Sequence, residues 1–349
     1  MSYDTIACKI NNNNIEEILS RIMNNDTTLV HIIFCARTIN NLSAQNIADA
    51  LLYNTTITTL VIDDIYCSEF DINIISNSLL HNITLTCLVI NYNTFGDNGI
   101  RYIMESIQNT RIKTLYMFNV KLSDIGYQYM ATLLTNNKTI NTLRLSHCEI
   151  NNYCAMLISD VLWVNTTLTT FNISNNDITD IGIQYITNAI NHNVNTKLTT
   201  LIISNNFISD IGMQYISDML KDNKTITTLD INYDNIGNRY LSSALKHNTT
   251  LTILNISNNN IDNKSVKYIS NMLKVNKTLL QLNISANNIS NIGAIYMLQA
   301  LVKNTTLTIL NIMNFGKIKV DNLVEIFRRD LSHMSKLNYV PDMRGVYVL

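Results

Sequence analysis

One pattern of apolar and polar positions recurs along the chain, and it is clearest between Leu198 and Asn223. Apolar residues first alternate with polar ones around Leu201 and Ile203, as they do in a half-buried strand. A pair of Asn residues follows, and from Gly212 onward the apolar residues are spaced as on one side of a helix. The pattern therefore predicts a strand, a turn and a helix within about 28 residues.

Eleven repeats of this kind align when the first apolar position of each is taken as its start. The starts, most of them 28 residues apart, are Leu29, Ile57, Leu85, Ile112, Ile140, Leu168, Leu198, Ile226, Leu251, Leu279 and Leu307. A period that stays in register over most of a chain indicates repeats that stack and share a continuous core.

The pattern within a repeat is L-x-x-L-x-L-x-x-N-x-I-x-x-x-G-x-x-x-L-x-x-x-L, and over roughly residues 29–332 it resembles the leucine-rich repeat. At this length it is similar to the ribonuclease-inhibitor-like subclass, in which the second half of each repeat is a helix. The resemblance implies an α/β solenoid shaped like a horseshoe, with a parallel sheet on the concave face and helices on the convex face.

That resemblance also predicts the domain organisation. We expect a single solenoid domain over residues 1–349, with about 11 repeats of 28 residues at positions 29–332. Residues 1–28 would form an N-terminal cap, because the end of a stack must be covered. Residues 333–349 would form a C-terminal cap that ends in a strand.

Two Asn positions recur within the repeats. The amide of the ninth position is expected to bond backbone groups in the turn. The residues at that position include Asn93, Asn176, Asn206, Asn259 and Asn287, with Asp234 and Cys148 as replacements. The second position lies three residues before each start, as at Asn82 and Asn223. We expect this Asn to adopt the left-handed conformation and cap the preceding helix.

Charge and composition narrow the classes of partner. Lys and Arg number 25 and Asp and Glu 26, so the concentrated positive face of a nucleic-acid binder is not expected. The N-terminus does not read as a secretory signal, and no apolar run reaches the roughly 18 residues that span a bilayer. We therefore expect an intracellular protein with reduced thiols, no nucleic acid partner and no membrane partner. The Asn and Ile bias is also similar to repeat proteins of Mimivirus-type giant amoeba viruses, which would place the protein in host cytoplasm or the virion.

No pattern of catalytic or ligand-binding residues stands out from the repeat. The six His are not at metal-ligand spacing, and neither H-E-x-x-H nor C-x-x-C occurs. The glycines are spread among the repeats rather than gathered in a phosphate-binding loop. We therefore predict that the protein is not an enzyme and has no cofactor, no metal and no small-molecule substrate.

The outward positions of the predicted sheet differ between the two halves of the chain. From the sixth repeat onward they are mostly small and polar, as at Asn255 and Ser257. In the second to fifth repeats they include large and charged side chains, and Tyr and Arg are enriched at binding hot spots. The predicted partner-binding residues of the concave face are Asp63, Asp64, Tyr92, Tyr116, Phe118, Arg144 and His147.

The predicted function is thus a non-catalytic scaffold that binds a protein partner, which would be a host protein if the source is viral. One alternative is a regulator of a small GTPase, because Ran GTPase-activating proteins share this repeat subclass, although their acidic tail is absent here. A second alternative is a structural component of a particle. Sequence drift, or cover from the N-terminal cap, would also account for the large outward side chains.

Overall fold

The computed structural model describes residues 8–9, 15–35, 44–63, 68–93, 95–234, 239–312 and 346–348. The chain divides into two compact units. The N-terminal unit comprises Met1–Asn176 with Asn195–Lys197, and the C-terminal unit comprises Asp177–Val194 with Leu198–Leu349. In both units strands and helices alternate along the chain, as the sequence predicts.

The described strands of the N-terminal unit are parallel and pair in chain order. They are β1 (Cys8–Lys9), β2 (His31–Cys35), β3 (Thr59–Asp63), β4 (Cys87–Asn91), β5 (Thr114–Phe118), β6 (Thr142–Ser146) and β7 (Thr170–Asn172). The helices between them are α1 (Ile15–Met23), α2 (Ala44–Tyr53), α3 (Glu69–His81), α4 (Gly96–Ile107), α5 (Asp124–Asn136) and α6 (Asn152–Val164). The register joins equivalent repeat positions, as between Leu88 and Leu115.

The C-terminal unit continues the same alternation. Its parallel strands are β8 (Thr200–Ile202), β9 (Thr228–Asp230), β10 (Ile253–Asn255), β11 (Gln281–Asn283) and β12 (Ile309–Asn311). Its described helices are α7 (Asp180–His192), α8 (Asp210–Asp222), α9 (Arg239–Leu245), α10 (Asn263–Leu273) and α11 (Asn291–Leu301). A last strand, β13 (Val346–Val348), pairs with β12 in the antiparallel sense.

The two predicted caps fall partly outside the described residues. In the N-terminal one, β1 and α1 are present, whereas residues 1–7 and 10–14 are not described. In the C-terminal one, the predicted final strand is β13, and residues 333–345 are not described.

The predicted apolar positions form the core. In the repeat that starts at Leu198, the strand residue Leu201 and the helix residues Met213 and Ile216 are fully buried. Alternation explains this burial for the strand, and the 3.6-residue period explains it for the helix. The apolar pattern therefore determines which face of each element turns inward.

A buried Asn three residues before most of the repeat starts joins consecutive repeats. The Oδ1 atom of Asn248 accepts the backbone N–H groups of Thr250 and Leu251, and its Nδ2 donates to the Leu220 carbonyl of α8, the helix one repeat earlier, at 2.7 Å. The same arrangement recurs at Asn54, Asn82, Asn137, Asn276 and Asn304.

The predicted left-handed conformation of this Asn is wrong. Asn82 has φ −75° and ψ 129°, and Asn223 has φ −66° and ψ 131°, both in the extended region. The helix end is satisfied by the side-chain amide of the next repeat rather than by a turn of the backbone. An extended backbone at this point also leads directly into the following strand.

The Asn at the ninth position bridges repeats at the other end of the strands. The Oδ1 atom of Asn176 accepts the backbone N–H groups of Cys148 and Ile150 from the preceding repeat. Its Nδ2 donates to the Leu145 carbonyl at 2.8 Å. The amide thus supplies the acceptor and the donor that the turn backbone lacks, as the sequence predicts.

Cys148 replaces the ninth-position Asn in one repeat and keeps its donor role. The Cys148 thiol donates to the carbonyls of Met117 and Ser146 at 3.5 and 3.3 Å. Burial raises the pKa of this thiol to about 11, so it holds its proton at neutral pH. The thiol is therefore a structural hydrogen-bond donor.

Asp234 replaces the same Asn in another repeat and keeps only the acceptor role. Its Oδ1 accepts the backbone N–H groups of Asn206 and Ile208, whereas its buried Oδ2 has no hydrogen-bond partner in the described part of the chain. Burial, together with the nearby carboxylates of Asp230 and Asp180, raises the pKa of the Asp234 carboxyl to about 8. The carboxyl is therefore largely protonated in the folded state at neutral pH.

The recurrent glycine at the start of the helices allows a close approach between repeats. The Oδ1 atom of Asp180 accepts the backbone N–H groups of Ser209 and Gly212, each at 2.8 Å. A Cβ atom at Gly212 would lie 2.5 Å from that oxygen. Gly293 has the same relation to Asn263, so the glycine is needed for helix packing.

Replacing Asn248 with Ala should lower the free energy of unfolding by about 2–4 kcal/mol, because three buried backbone groups lose their partner. Denaturant unfolding followed by circular dichroism measures the change. Asn271→Ala is the control, since Asn271 is exposed on α10, and it should change the stability by less than about 0.5 kcal/mol. Equal effects of the two substitutions would contradict the bridging role of the buried amide.

Replacing Asp234 with Asn should stabilise the C-terminal unit and remove a pH dependence. The folded-state pKa of about 8 exceeds the ordinary value of 3.8, so the unfolded chain releases a proton that the folded chain keeps. The stability that this proton supports is complete below about pH 4 and is lost as the pH rises towards 8. Thermal unfolding of both proteins should show an advantage of the Asn variant that grows from pH 4 to 8, and a constant advantage would contradict this account.

Candidate functional site

The candidate site lies on the outer face of the sheet in the N-terminal unit, over β4, β5 and β6. Leu115 and Met117 of β5 are buried in the core, so the alternate residues Tyr116 and Phe118 lie on the opposite face. The register places Arg144 of β6 directly beside Tyr116. The strand pattern therefore brings an aromatic ring and a guanidinium to adjacent outward positions.

Arg144 stacks on Tyr116. The guanidinium carbon lies 4.8 Å from the centre of the ring, which is the geometry of a cation–π contact. Both side chains are half-buried. The Nε atom of Arg144 is buried and has no hydrogen-bond acceptor in the described residues.

A row of three rings runs alongside this pair. The Phe118 ring meets Tyr92 edge-on, with centres 5.2 Å apart, and meets His147 in the same way at 4.9 Å. Edge-to-face contacts of this kind are favourable because the positive edge of one ring faces the negative face of the next. Tyr92 and His147 are both exposed, so the row is accessible at its two ends.

The backbone at the ends of the row is strained. Tyr92 and His147 have φ values of 52° and 56°, in the left-handed region that favours Gly and Asn. Asn occupies the equivalent position in other repeats, as at Asn119 and Asn175. Tyr233 and Ala286 fill the same position in the C-terminal unit, so the left-handed backbone belongs to the turn of the repeat and does not by itself mark a site.

A groove of about 410 Å³ lies between the Arg144–Tyr116 pair and the row of rings. Its lining includes Val89, Asn91, Tyr116, Phe118, Arg144 and Asn172. The walls are aromatic and aliphatic, and the polar groups come from amides, hydroxyls such as that of Ser146, and one guanidinium. We call the five side chains Tyr92, Tyr116, Phe118, Arg144 and His147 the aromatic patch.

Comparison with known proteins identifies the fold. Five segments of the chain match the leucine-rich repeat family model, at residues 81–104, 164–186, 194–217, 247–270 and 275–298. A solved structure of the yeast Rad7–Elc1 complex is similar, with a TM-score of 0.54, 11% sequence identity, and coverage of 88% of this chain and 84% of that chain. The fold is a leucine-rich repeat fold. No curated protein matches the sequence.

Two further solved structures of leucine-rich-repeat type are similar over different shares of the chain. An internalin (InlF) from Listeria monocytogenes has a TM-score of 0.48 and 17% identity, and covers 84% of this chain and 82% of that chain. Actin-binding site 2 of leiomodin-1 has a TM-score of 0.36 and 21% identity, and covers 42% of this chain and 86% of that chain.

The leucine-rich-repeat register brings five of the seven predicted site residues together as the aromatic patch. Asp63, the last residue of β3, pairs in register with Asn91 and so lies one strand outside the patch. Asp64 lies outside the described residues. The role of these residues in binding stays a prediction.

Sequence reasoning missed an apolar strip on the same face. Ile33, Val61 and Val89 occupy the outward fifth position of the first three leucine-rich repeats, yet they are only 8%, 7% and 3% exposed. Tyr116 and Cys87 pack against them, and burial raises the pKa of the Cys87 thiol to about 11. The signal was present as Ile and Val at a position that later repeats fill with polar residues.

A second set of large apolar side chains was also missed. The second residue of six helices is an exposed ring or Ile side chain. These residues are Phe70, Ile125 and Tyr153 in the N-terminal unit and Ile181, Ile211 and Ile292 in the C-terminal unit. The recurring D-I-G sequence carries the signal, but the prediction considered only its Gly.

No group of three or more His, Cys, Asp or Glu side chains in the described residues could hold a metal ion. None of the helices described has both the length and the apolar character that crossing a bilayer requires.

Proposed function

We propose that this chain is a non-catalytic scaffold that binds a protein partner through the aromatic patch of its N-terminal unit. Leucine-rich repeats typically serve as scaffolds for protein–protein interaction. The observation that carries the proposal is that Tyr116, Phe118 and Arg144 line one groove on the face opposite the core. Tyr92 and His147 pack on either side of Phe118. Tyr and Arg dominate the binding energy of many protein interfaces.

The patch is suited to binding because its side chains hold one another in place. Phe118 is fixed between Tyr92 and His147, and Tyr116 is fixed under Arg144. Side chains that are already ordered lose little rotamer freedom when a partner arrives. The groove between them would accept a side chain of the partner.

The equivalent face of the C-terminal unit is a weaker candidate. Asn255 donates to Asp230 at 3.1 Å and accepts from the hydroxyl of Ser257 at 2.9 Å. Asn283 accepts from Ser285 in the same manner. These polar groups already satisfy one another, and such small side chains rarely act as hot spots.

The proposal also covers the repeat subclass, the class of partner, the source of the protein and its location. The helix that follows the strand in each described repeat supports the ribonuclease-inhibitor-like subclass. A single cation among the residues that line the groove gives no support to nucleic acid as the partner. A viral source, and with it a host protein as partner, stays a prediction, as does an intracellular location.

The proposal is tested by affinity capture from the cells that make the protein, followed by quantitative mass spectrometry. The wild-type chain is compared with Tyr116→Ala/Phe118→Ala and with the matched control Asn255→Ala/Asn283→Ala. Proteins bound through the patch should fall about tenfold or more for the first variant and remain with the second. Circular dichroism of each variant checks the fold, and equal retention or equal loss for the two variants would refute the proposal.

A further inference from the structure

The aromatic patch contains a positive charge without a counter-charge in the described residues. The Nε–H of Arg144 is buried and lacks an acceptor, and Tyr116 covers one face of the guanidinium. A buried donor without a partner lowers the stability of the isolated chain. Arg144 forms no ion pair with the described residues, so the Nη side of its guanidinium can bind an anion from a partner.

A second stacked arginine shows the contrast. The guanidinium of Arg101 lies 4.8 Å from the ring of Tyr102 on α4, the same distance as in the Arg144–Tyr116 pair. Arg101 is also paired with the carboxylate of Glu105 at 3.3 Å. Arg101 thus has both a ring and a carboxylate as partners, whereas Arg144 has only the ring among the described residues.

The acidic groups near Arg144 are distant or engaged. Asp63 is on β3, three strands away, which corresponds to about 14 Å at the usual strand spacing. Glu149 forms an ion pair with Lys121. The polar groups that line the groove beside Arg144 belong to neutral residues, so an anion there would meet no repulsion from the lining.

We propose that the groove receives an Asp or Glu side chain from an acidic segment of the protein partner. The carboxylate would accept one N–H from each Nη atom of Arg144, the two parallel donors at the end of the guanidinium. An apolar residue next to that acid in the partner would pack on Tyr116 and Phe118. This inference rests on the proposed function, because it presumes a partner at the patch.

The charge balance favours a carboxylate over a phosphate group. Arg144 is the only cationic side chain among the residues that line the groove, and it matches one negative charge. A phosphate group carries about −1.5 to −2 at neutral pH and is usually bound by several cations. The volume of about 410 Å³ is enough for an acidic side chain and its apolar neighbour.

The test uses the full chain and a displayed library of random peptides about twelve residues long. Peptides that bind wild type but not Tyr116→Ala/Phe118→Ala are sequenced, and we expect Asp or Glu beside an apolar residue among them. One selected peptide and its Gln version are then synthesised for fluorescence anisotropy. Arg144→Gln should weaken the acidic peptide roughly 10- to 100-fold and leave the Gln peptide nearly unchanged.

Two variants serve as controls. Arg101→Gln removes the other stacked arginine and should leave peptide affinity unchanged. Arg144→Lys keeps the charge but loses the paired donors, so it should weaken the acidic peptide less than Arg144→Gln does. Circular dichroism shows whether Arg144→Gln folds. If it does not fold, weaker binding of the acidic peptide to Arg144→Lys and weaker wild-type binding at high salt support the proposal, and no change in either overturns it.

The outcomes separate the two proposals. Peptides that need the patch rings but show no acidic preference, and bind Arg144→Gln as well as wild type, overturn the acidic segment and leave the proposed function standing. Peptides that bind Tyr116→Ala/Phe118→Ala as tightly as wild type count against the proposed function itself. Self-association of the wild-type chain that Arg144→Gln abolishes would make a second copy the occupant and overturn the partner proposed here.

Discussion

Buried amide side chains hold consecutive repeats together. In the described repeats the chain turns before and after a strand, and backbone groups of those turns are shielded from water without a ladder partner. One Asn side chain supplies an acceptor and a donor at once, as Asn248 does at one end and Asn176 at the other. Burial of Leu and Ile drives the stacking, but it has no direction, whereas the amides fix the register between neighbours.

Two of the three repeats that carry the aromatic patch lack the ninth-position Asn. The ninth position is Val120 in the repeat of Phe118 and Cys148 in the repeat of Arg144. Both residues are buried, and the hydroxyl of the fully buried Tyr127 donates to the carbonyl of Cys148. Local bonds of this kind replace the Asn where the sequence departs from the repeat, and the sheet continues unbroken through β5 and β6.

The fold could be predicted because the same pattern of strand and helix spacing recurs from repeat to repeat. A period of strand and helix spacing that recurs in register leaves one way to stack the repeats, and the core positions follow from it. The outward positions also follow from alternation, which is why Tyr116 and Arg144 were recognised. Their stacking could not be predicted, because it depends on the side-chain conformations of two repeats whose register the sequence gives only by analogy.

Other features were hidden for physical reasons. The extended backbone of Asn82 was mistaken for a left-handed cap because both conformations place a polar residue after a helix. Val61 and Val89 read as ordinary strand residues, and only the paired register shows that they share the outer face with Tyr116. The raised pKa of Asp234 depends on burial, which a sequence does not state.

The reliance on Asn also exposes the chain to chemical ageing. Asn converts slowly and spontaneously to Asp by deamidation, and Asp234 shows what a carboxyl does in this setting, where one oxygen is left without a donor. While a repeat stays folded, the Asn side chain is buried and bonded to the backbone, as at Asn276, whose amide donates to the Leu245 carbonyl. Prolonged unfolding would expose these Asn side chains to deamidation. Each Asp formed in this way would be a carboxylate that has to be buried when the repeat refolds.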